Sequence, residues 1–430
     1  VHASTVRGTQ LDLYGGMTPL TLTTPSRGTP LRHVLSRTFT PRPQVAHEPN
    51  RRHAVDDEHE PHLISALDWL TRAQDVNATG GVSRGFSRVH NRYFRLRGWE
   101  PDYPETTGYI IPTLLAAADR FQREDLVSRA LMAATWECGI QLPNGAVQGG
   151  VVGEPISPSA FNTGQVILGW LAALQRTGEG QYADSARSAS LFLMDTLDGD
   201  GIWRRAHSRF AVAGDALYNA RTAWALAESG RRLALPQATD AAVRALRAVS
   251  RRQHASGWLP DCCLTDPEQP LLHTLAYAVR GLIEGGRVLE DGRLISAGAQ
   301  TAAALAEQVR GDGWLSGRYT AGWRAAAPWA CLTGQAQMVS SWIRLFEITG
   351  DRKWLEPVGP VIGYLKATQD RFAIEPGVAG GIGGSDPADG EYGAHELLSW
   401  ATKFFIDALL RDERVRSAAP ATGDHILLLA

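Results

Sequence analysis

Glu105, Asp261, His273, Tyr218 and Tyr277 are the side chains whose types and surroundings best suit proton or group transfer. Glu105 follows Pro104 at the start of an apolar helical stretch. Free backbone N–H groups there should hold its pKa down and fit it for a base or nucleophile. Asp261 stands beside Trp258, Cys262 and Cys263, where burial should raise its pKa toward that of an acid. Two carboxyl groups so tuned would cleave a glycosidic bond. His273 and Tyr277 are four residues apart and so share one helix face. With Tyr218 and Arg221 they would suit proton abstraction beside a uronate carboxylate: Arg grips the carboxylate, and His or Tyr moves the proton. Cys262, His273 and Cys331 offer a third chemistry, a zinc site. Their spacing matches no metal-binding motif, so small buried cysteines and no cofactor are the expectation.

These residues sit at recurring places. Six apolar helical segments open at Glu105-Thr-Thr-Gly108, Asn162-Thr-Gly-Gln165, Tyr218-Asn-Ala-Arg221, His273-Thr274, Thr333-Gly-Gln335 and His395-Glu396. Taking Thr107, Thr163, Asn219, Thr274, Gly334 and Glu396 as equivalents gives steps of 56, 56, 55, 60 and 62 residues. Between them run six more polar helical segments, each ending in a glycine-rich turn such as Pro143-Asn-Gly145, Ser256-Gly-Trp258 or Gly311-Asp-Gly-Trp314. A unit this small cannot bury its own apolar face, so the units must stack or close. Six helical hairpins close into a double ring, and the predicted fold is an all-α (α/α)6 barrel. The more continuously apolar helices form its inner ring. The sixth unit ends close to residue 412, which leaves little room for the capping repeat of an open solenoid.

All six inner helices then start at one end, and the polar residues at those starts converge on one mouth. Besides the five residues above, the binding candidates are Tyr103, Asn162, Gln165, Asp215, Asn219, Arg221, Gln335, Glu391 and Tyr392. Asn162 taken alone is read as a helix cap. Trp258, Trp323 and Trp329 fall in the mouth loops, and aromatic faces beside such polar groups are how sugar rings are held. The loop from Gly380 to Tyr392 lacks the Gly-Lys-Ser/Thr ending of a nucleotide loop and is read as a lid.

The repeated Gln…Gly-x-Trp turns and the count of six units resemble the α/α toroid superfamily. Its members include six-hairpin glycosidases, uronyl hydrolases and lyases, sugar epimerases, terpene cyclases, prenyltransferases and lanthionine cyclases. Tyr103-Pro-Glu-Thr-Thr-Gly-Tyr-Ile-Ile-Pro112, and Cys262-Cys-Leu-Thr-Asp-Pro-Glu268 with Leu271-Leu-His-Thr274, are similar to an uncharacterised group of bacterial toroids associated with polysaccharide biosynthesis. The resemblance covers roughly residues 60 to 412 and implies a carbohydrate-active enzyme with a saccharide substrate. Glycoside hydrolysis ranks first and a uronate epimerase or polysaccharide lyase second. A zinc-dependent transferase or cyclase and a non-catalytic glycan-binding toroid follow. The Asp-rich motif of terpene cyclases is absent.

Composition sets the outer limits. The chain has 430 residues, 44% hydrophobic and 20% charged, with a net charge of −2. No basic field is present to draw nucleic acid or an anionic membrane. Residues 1–58, rich in Thr, Pro, Arg and His, read as an extended or disordered arm; 59–412 as the toroid; 413–430 as a tail. With four cysteines that make no disulfide framework and no signal-peptide pattern, the expected location is cytoplasmic, although a start at Val1 leaves room for a missing segment.

Overall fold

The structure, a computed structural model, describes residues 58–208, 210–212 and 214–417. The arm before residue 58 and the tail beyond residue 417 lie outside the described residues. Among the described residues twelve α-helices alternate between two rings. The outer ring holds α1 (Glu60–Asp75), α3 (Glu124–Ile140), α5 (Gly180–Thr196), α7 (Pro236–Arg252), α9 (Gly292–Ala306) and α11 (Val358–Thr368). The inner ring holds α2 (Pro104–Phe121), α4 (Ala160–Thr177), α6 (Ala220–Arg232), α8 (Leu272–Val288), α10 (Leu332–Thr349) and α12 (Ser399–Arg416). Each inner helix packs on the next and α12 returns to α2, which closes an (α/α)6 barrel.

Side-chain chemistry explains the division. Helix α4 is buried without a break from Ala160 to Ala173, and α10 from Leu332 to Leu345, because helices of the inner ring meet protein on every side. Helix α3 buries only Leu126, Ala130, Ala133, Ala134 and Glu137, a stripe on one face. Inner helices approach closely where glycine allows it: a Cβ on Gly108 of α2 would come within 2.7 Å of the Val166 Cα on α4.

The repeated turn is a joint between neighbouring outer helices. Gly80, Gly145, Gly201, Gly257, Gly313 and Gly380 all have φ between +81° and +97°, a region that suits glycine. Gln74, Gln141, Gln253 and Gln369 donate to the carbonyls of Gly80, Gly145, Gly257 and Gly380. All four also reach the next outer helix, at the carbonyls of Arg129, Ser185, Ala297 and, where the ring closes on α1, His62. In the fifth unit Gln335 makes the bond to Gly313 instead.

Loops from outer to inner helices are long and gather at the mouth; loops from inner to outer are short. The long loops carry β1 (Gly85–Asn91), β2 (Leu96–Trp99), β3 (Val147–Gln148), β4 (Pro158–Ser159), β5 (Ala330–Cys331), β6 (Ser385–Asp386) and β7 (Glu396–Leu398). Strand β1 lies between β2 and β7, antiparallel to both. Here the sequence reading needs correction: the sixth inner helix does not open at His395-Glu396. His395 has φ +61° and residues 396–398 pair with β1, so α12 starts at Ser399. Tyr218 and Asn219 likewise sit in a 3-10 turn just ahead of α6. Helix α12 continues to Arg416. Among the described residues no helix is long and apolar enough to cross a membrane.

Candidate active site

Helices α2, α4, α6 and α8 bring Glu105, Gln165, Arg221, His273 and Tyr277 to the mouth end of the axis. Glu105 occupies the first turn of α2 and is partly accessible. Its carboxyl is pushed up to about 8: burial outweighs the nearby Arg221 and Arg84 cations and a hydrogen bond from Tyr103. The low pKa expected from the helix start is therefore reversed. Dipole and cations together do not offset the loss of water around the carboxylate.

Arg221 is buried on α6. Its Nε donates to Gln165 Oε1 at 2.6 Å, while its Nη2 has no hydrogen-bond partner. The guanidinium lies over the rings of Trp224, Tyr277 and Phe404. His273 donates from Nδ1 to Gln337 Oε1 at 3.0 Å, which makes Nε2 the basic nitrogen. Burial first, and then Arg221, push this imidazole down to about 3, against the Gln337 bond, so it is neutral at physiological pH.

Aromatic rings wall the space. His273 packs on Tyr277 at 4.3 Å and on Tyr392 at 5.2 Å between centroids. Phe161 meets Tyr277 at 4.8 Å and Tyr218 at 5.3 Å. Trp400 donates to the Tyr392 hydroxyl at 2.7 Å and packs beside Tyr103. On the rim Arg84, buried under Trp400, bridges Glu100 and Glu396. Burial raises the Glu396 pKa, with Glu100 adding to the rise and Arg84 opposing it.

Most other sequence candidates make contacts of their own, and among the described residues Asp261 is held in place only through its backbone. Asp215 is clamped by Arg204 at 2.7 Å and Arg252 at 2.6 Å, and Glu391 by Arg318 at 3.0 Å. Asn162 donates to the Gln148 carbonyl and its backbone is capped by Ser159; Asn219 accepts from Thr222. Asp261 lies in the loop before α8, where its carbonyl accepts from Leu217. Trp258 and Trp329 are buried, and Trp323 packs edge-on against Trp258 while donating to the Ser256 carbonyl. Cys262 donates to the Thr274 carbonyl, and burial holds its thiol well above the usual range and pushes that of Cys331 up to about 12. Among the described residues no three His, Cys, Asp or Glu side chains are grouped so as to hold a metal ion. A groove on the outer face, lined by Glu60, Ile64, Asp68 and Phe372, shares no residue with the mouth.

Arg84, Gln337, Trp400, Tyr109 and Phe404 were not singled out from the sequence. Arg84 follows the first glycine turn and Gln337 lies one turn beyond Thr333, so the repeat pattern offered a faint signal for both.

The closed double ring with a polar mouth defines an α/α toroid. No protein-family model matches the chain, and the comparison with curated proteins finds no match. Among solved structures it is similar to an unsaturated glucuronyl hydrolase specific for heparin, at TM-score 0.66 and 16% identity, over 84% of this chain and 99% of that one. It is also similar to a sugar epimerase from a ruminal bacterium, at TM-score 0.66 and 14% identity, over 83% and 98%. A third is the cellobiose 2-epimerase of Bacillus thermoamylovorans, at TM-score 0.65 and 14% identity, over 84% and 99%. At such identities the likeness is one of fold.

Proposed function

We propose that this chain is a carbohydrate-active enzyme that uses Glu105 as a general acid on a saccharide held in the mouth, with glycoside hydrolysis as its reaction. The observation that carries this reading is a partly accessible carboxyl group in the first turn of an inner helix, pushed up to about 8 by burial against a hydrogen bond from Tyr103 and the nearby Arg221 and Arg84. Such a group is protonated at neutral pH and can protonate a leaving oxygen. The similar solved structures include a glucuronyl hydrolase and two sugar epimerases by name. The resemblance of residues 103–112 and 262–274 to polysaccharide-associated toroids supports a bacterial polysaccharide or its oligosaccharide precursor as substrate.

A second reading is favoured by His273. A neutral imidazole with Nδ1 pinned by Gln337 presents its lone pair at Nε2 beside Tyr277, and a uronate carboxylate paired with Arg221 would raise its low pKa toward that of a working base for epimerisation or elimination. Arg221 would hold a uronate carboxylate for it. On a substrate with demonstrated turnover, Glu105→Gln is expected to lower kcat/KM by about 10²–10⁴-fold under the first reading. Unaltered activity in Glu105→Gln with loss in His273→Ala would replace hydrolysis by proton transfer. Full turnover in both variants would refute the site.

A further inference from the structure

The loops that feed the inner helices are tied to one another. β7 pairs with β1, which joins the loop before α12 to the loop before α2. Strand β1 runs from Gly85 to Asn91, and at about 3.3 Å per residue it carries the β1–β2 tip some 20 Å from that junction. The tip reaches the loop before α4, where the Tyr93 hydroxyl donates to Glu154. It also reaches the loop before α6, with the Tyr93 and Phe210 rings 6.4 Å apart. Beyond Phe210, Val212 N donates to the Leu264 carbonyl at 2.7 Å. Arg318 Nη1 donates to the Gln269 carbonyl at 2.8 Å, and Arg318 pairs with Glu391 at 3.0 Å. Contacts thus link the mouth loops of all six units in one circuit.

The hairpin tip leans inward over the candidate site. The Arg84 guanidinium lies 5.5 Å from the ring of Phe94, in the tip, and 5.0 Å from that of Trp400. Trp400 packs beside Tyr103, which donates to Glu105, and bonds Tyr392, which packs on His273. Burial shows how far the rim narrows the mouth. Gln165, Arg221, Tyr277 and His273 stand at the mouth end of the axis, yet each is no more than 4% exposed. An open cleft has to leave its floor accessible along its length, because an extended chain lies across it. Below these residues the axis is filled: Arg280 and Arg344 meet on Glu284 at 2.8 Å, all three buried. The space is therefore bounded at its sides and beneath, while solvent still reaches Glu105.

We infer that the mouth is a blind pocket that admits only the end of a saccharide chain and removes residues from the non-reducing end, with the clasp of Tyr93, Glu154 and Phe210 denying passage to internal segments. This rests on the hydrolytic reading of Glu105. The choice of end follows from depth. The ring that distorts and carries the transition-state charge is the glycone, and Gln165, Arg221 and His273, which could grip such a ring, lie deeper than Glu105. The residue in the pocket is then the glycone, and the leaving chain points outward past Glu105. Water gives its hydroxyl to the anomeric carbon, Glu105 gives its proton to the leaving oxygen, and the proton released by the water restores Glu105.

The probe is a linear hexasaccharide of the substrate on which turnover is shown, carrying a fluorophore at its reducing end. Early in the reaction the full chain is expected to release unlabelled monosaccharide and leave labelled pentasaccharide. Labelled di-, tri- and tetrasaccharides at the first time points mean an open cleft and overturn the inference. Labelled monosaccharide beside unlabelled pentasaccharide means attack at the reducing end and overturns it equally. Tyr93→Ala removes both contacts of the clasp, and should raise labelled tri- and tetrasaccharide relative to pentasaccharide by about threefold or more. Tyr93→Phe keeps the ring but loses the bond to Glu154, and a smaller shift in the same direction is required of it. An unchanged pattern in both variants, each melting like the native chain, overturns the role of the clasp. Failure of the hydrolytic reading looks different: Glu105→Gln then keeps full turnover, or no new reducing end appears.

Discussion

Glu105 is the residue on which the functional reading turns, and its protonation has a consequence for stability that needs no substrate. Its pKa is about 8 in the fold, above the ordinary glutamate value, so between those values the native state holds a proton that the unfolded chain has released. The stabilisation is therefore complete at acid pH and is lost as pH rises through about 8. Glu105→Gln removes the titration. It should match the native chain in urea denaturation at pH 5 and exceed its stability by about 1–3 kcal/mol at pH 9. A carboxylate held for a structural ion pair would give the opposite sign. This reversal was not legible in the sequence, where Glu105 is simply a first-turn acid behind proline. The pKa depends on how deeply α2 seats the group and how far Arg84 and Arg221 stand from it, and both come from segments distant in the chain. The clamping of Asp215 by Arg204 and Arg252 was hidden for the same reason. His273, Tyr277 and Arg221 could be placed together because helix starts repeat at near-constant steps, which turned sequence position into a shared end of the barrel.

At the scale of elements the repeat spoke plainly because its glycines answer to local geometry. Gly313 has φ +84°, and an added Cβ would fall inside contact distance of the Pro360 carbonyl oxygen on α11. Gly311, two residues earlier in the same loop, has open space around its Cβ position. Gly313→Ala combines left-handed strain with a backbone clash and is expected to cost about 2–4 kcal/mol, whereas Gly311→Ala should stay within about 0.5–1 kcal/mol of the native chain. Chemical denaturation of the pair compares them directly, and equal losses would show that the turn is not a joint. What the pattern misjudged, the start of α12, was set by pairing between strands β1 and β7. Their residues are some 310 positions apart, and no local spacing reports that contact.

For the molecule as a whole, the question is how a ring of apolar helices tolerates charge along its axis. Glu284 is fully buried and contacts Arg280, Arg344 and Arg287 at 2.8–3.0 Å. Burial alone would raise its pKa, but Arg344, Arg280, Arg287 and Arg411 overcome it and hold the carboxyl well below the usual range. It is thus the anion that lets helices α8 and α10 bring their arginines inside the ring. Glu284→Gln leaves those cations facing one another in a dry interior and should destabilise the whole barrel by about 3–5 kcal/mol at pH 7. The exposed pair Arg310–Asp312 gives the contrast: Asp312→Asn should change stability by less than about 0.5 kcal/mol. The pH dependence carries the sign. A depressed pKa contributes stability that is present above the ordinary glutamate value and is lost as pH falls through the folded value, so the native chain should lose its advantage over Glu284→Gln on acidification. An advantage that persisted unchanged from pH 7 to pH 3 would mean that the arginines, and not this carboxylate, find their compensation elsewhere on the axis.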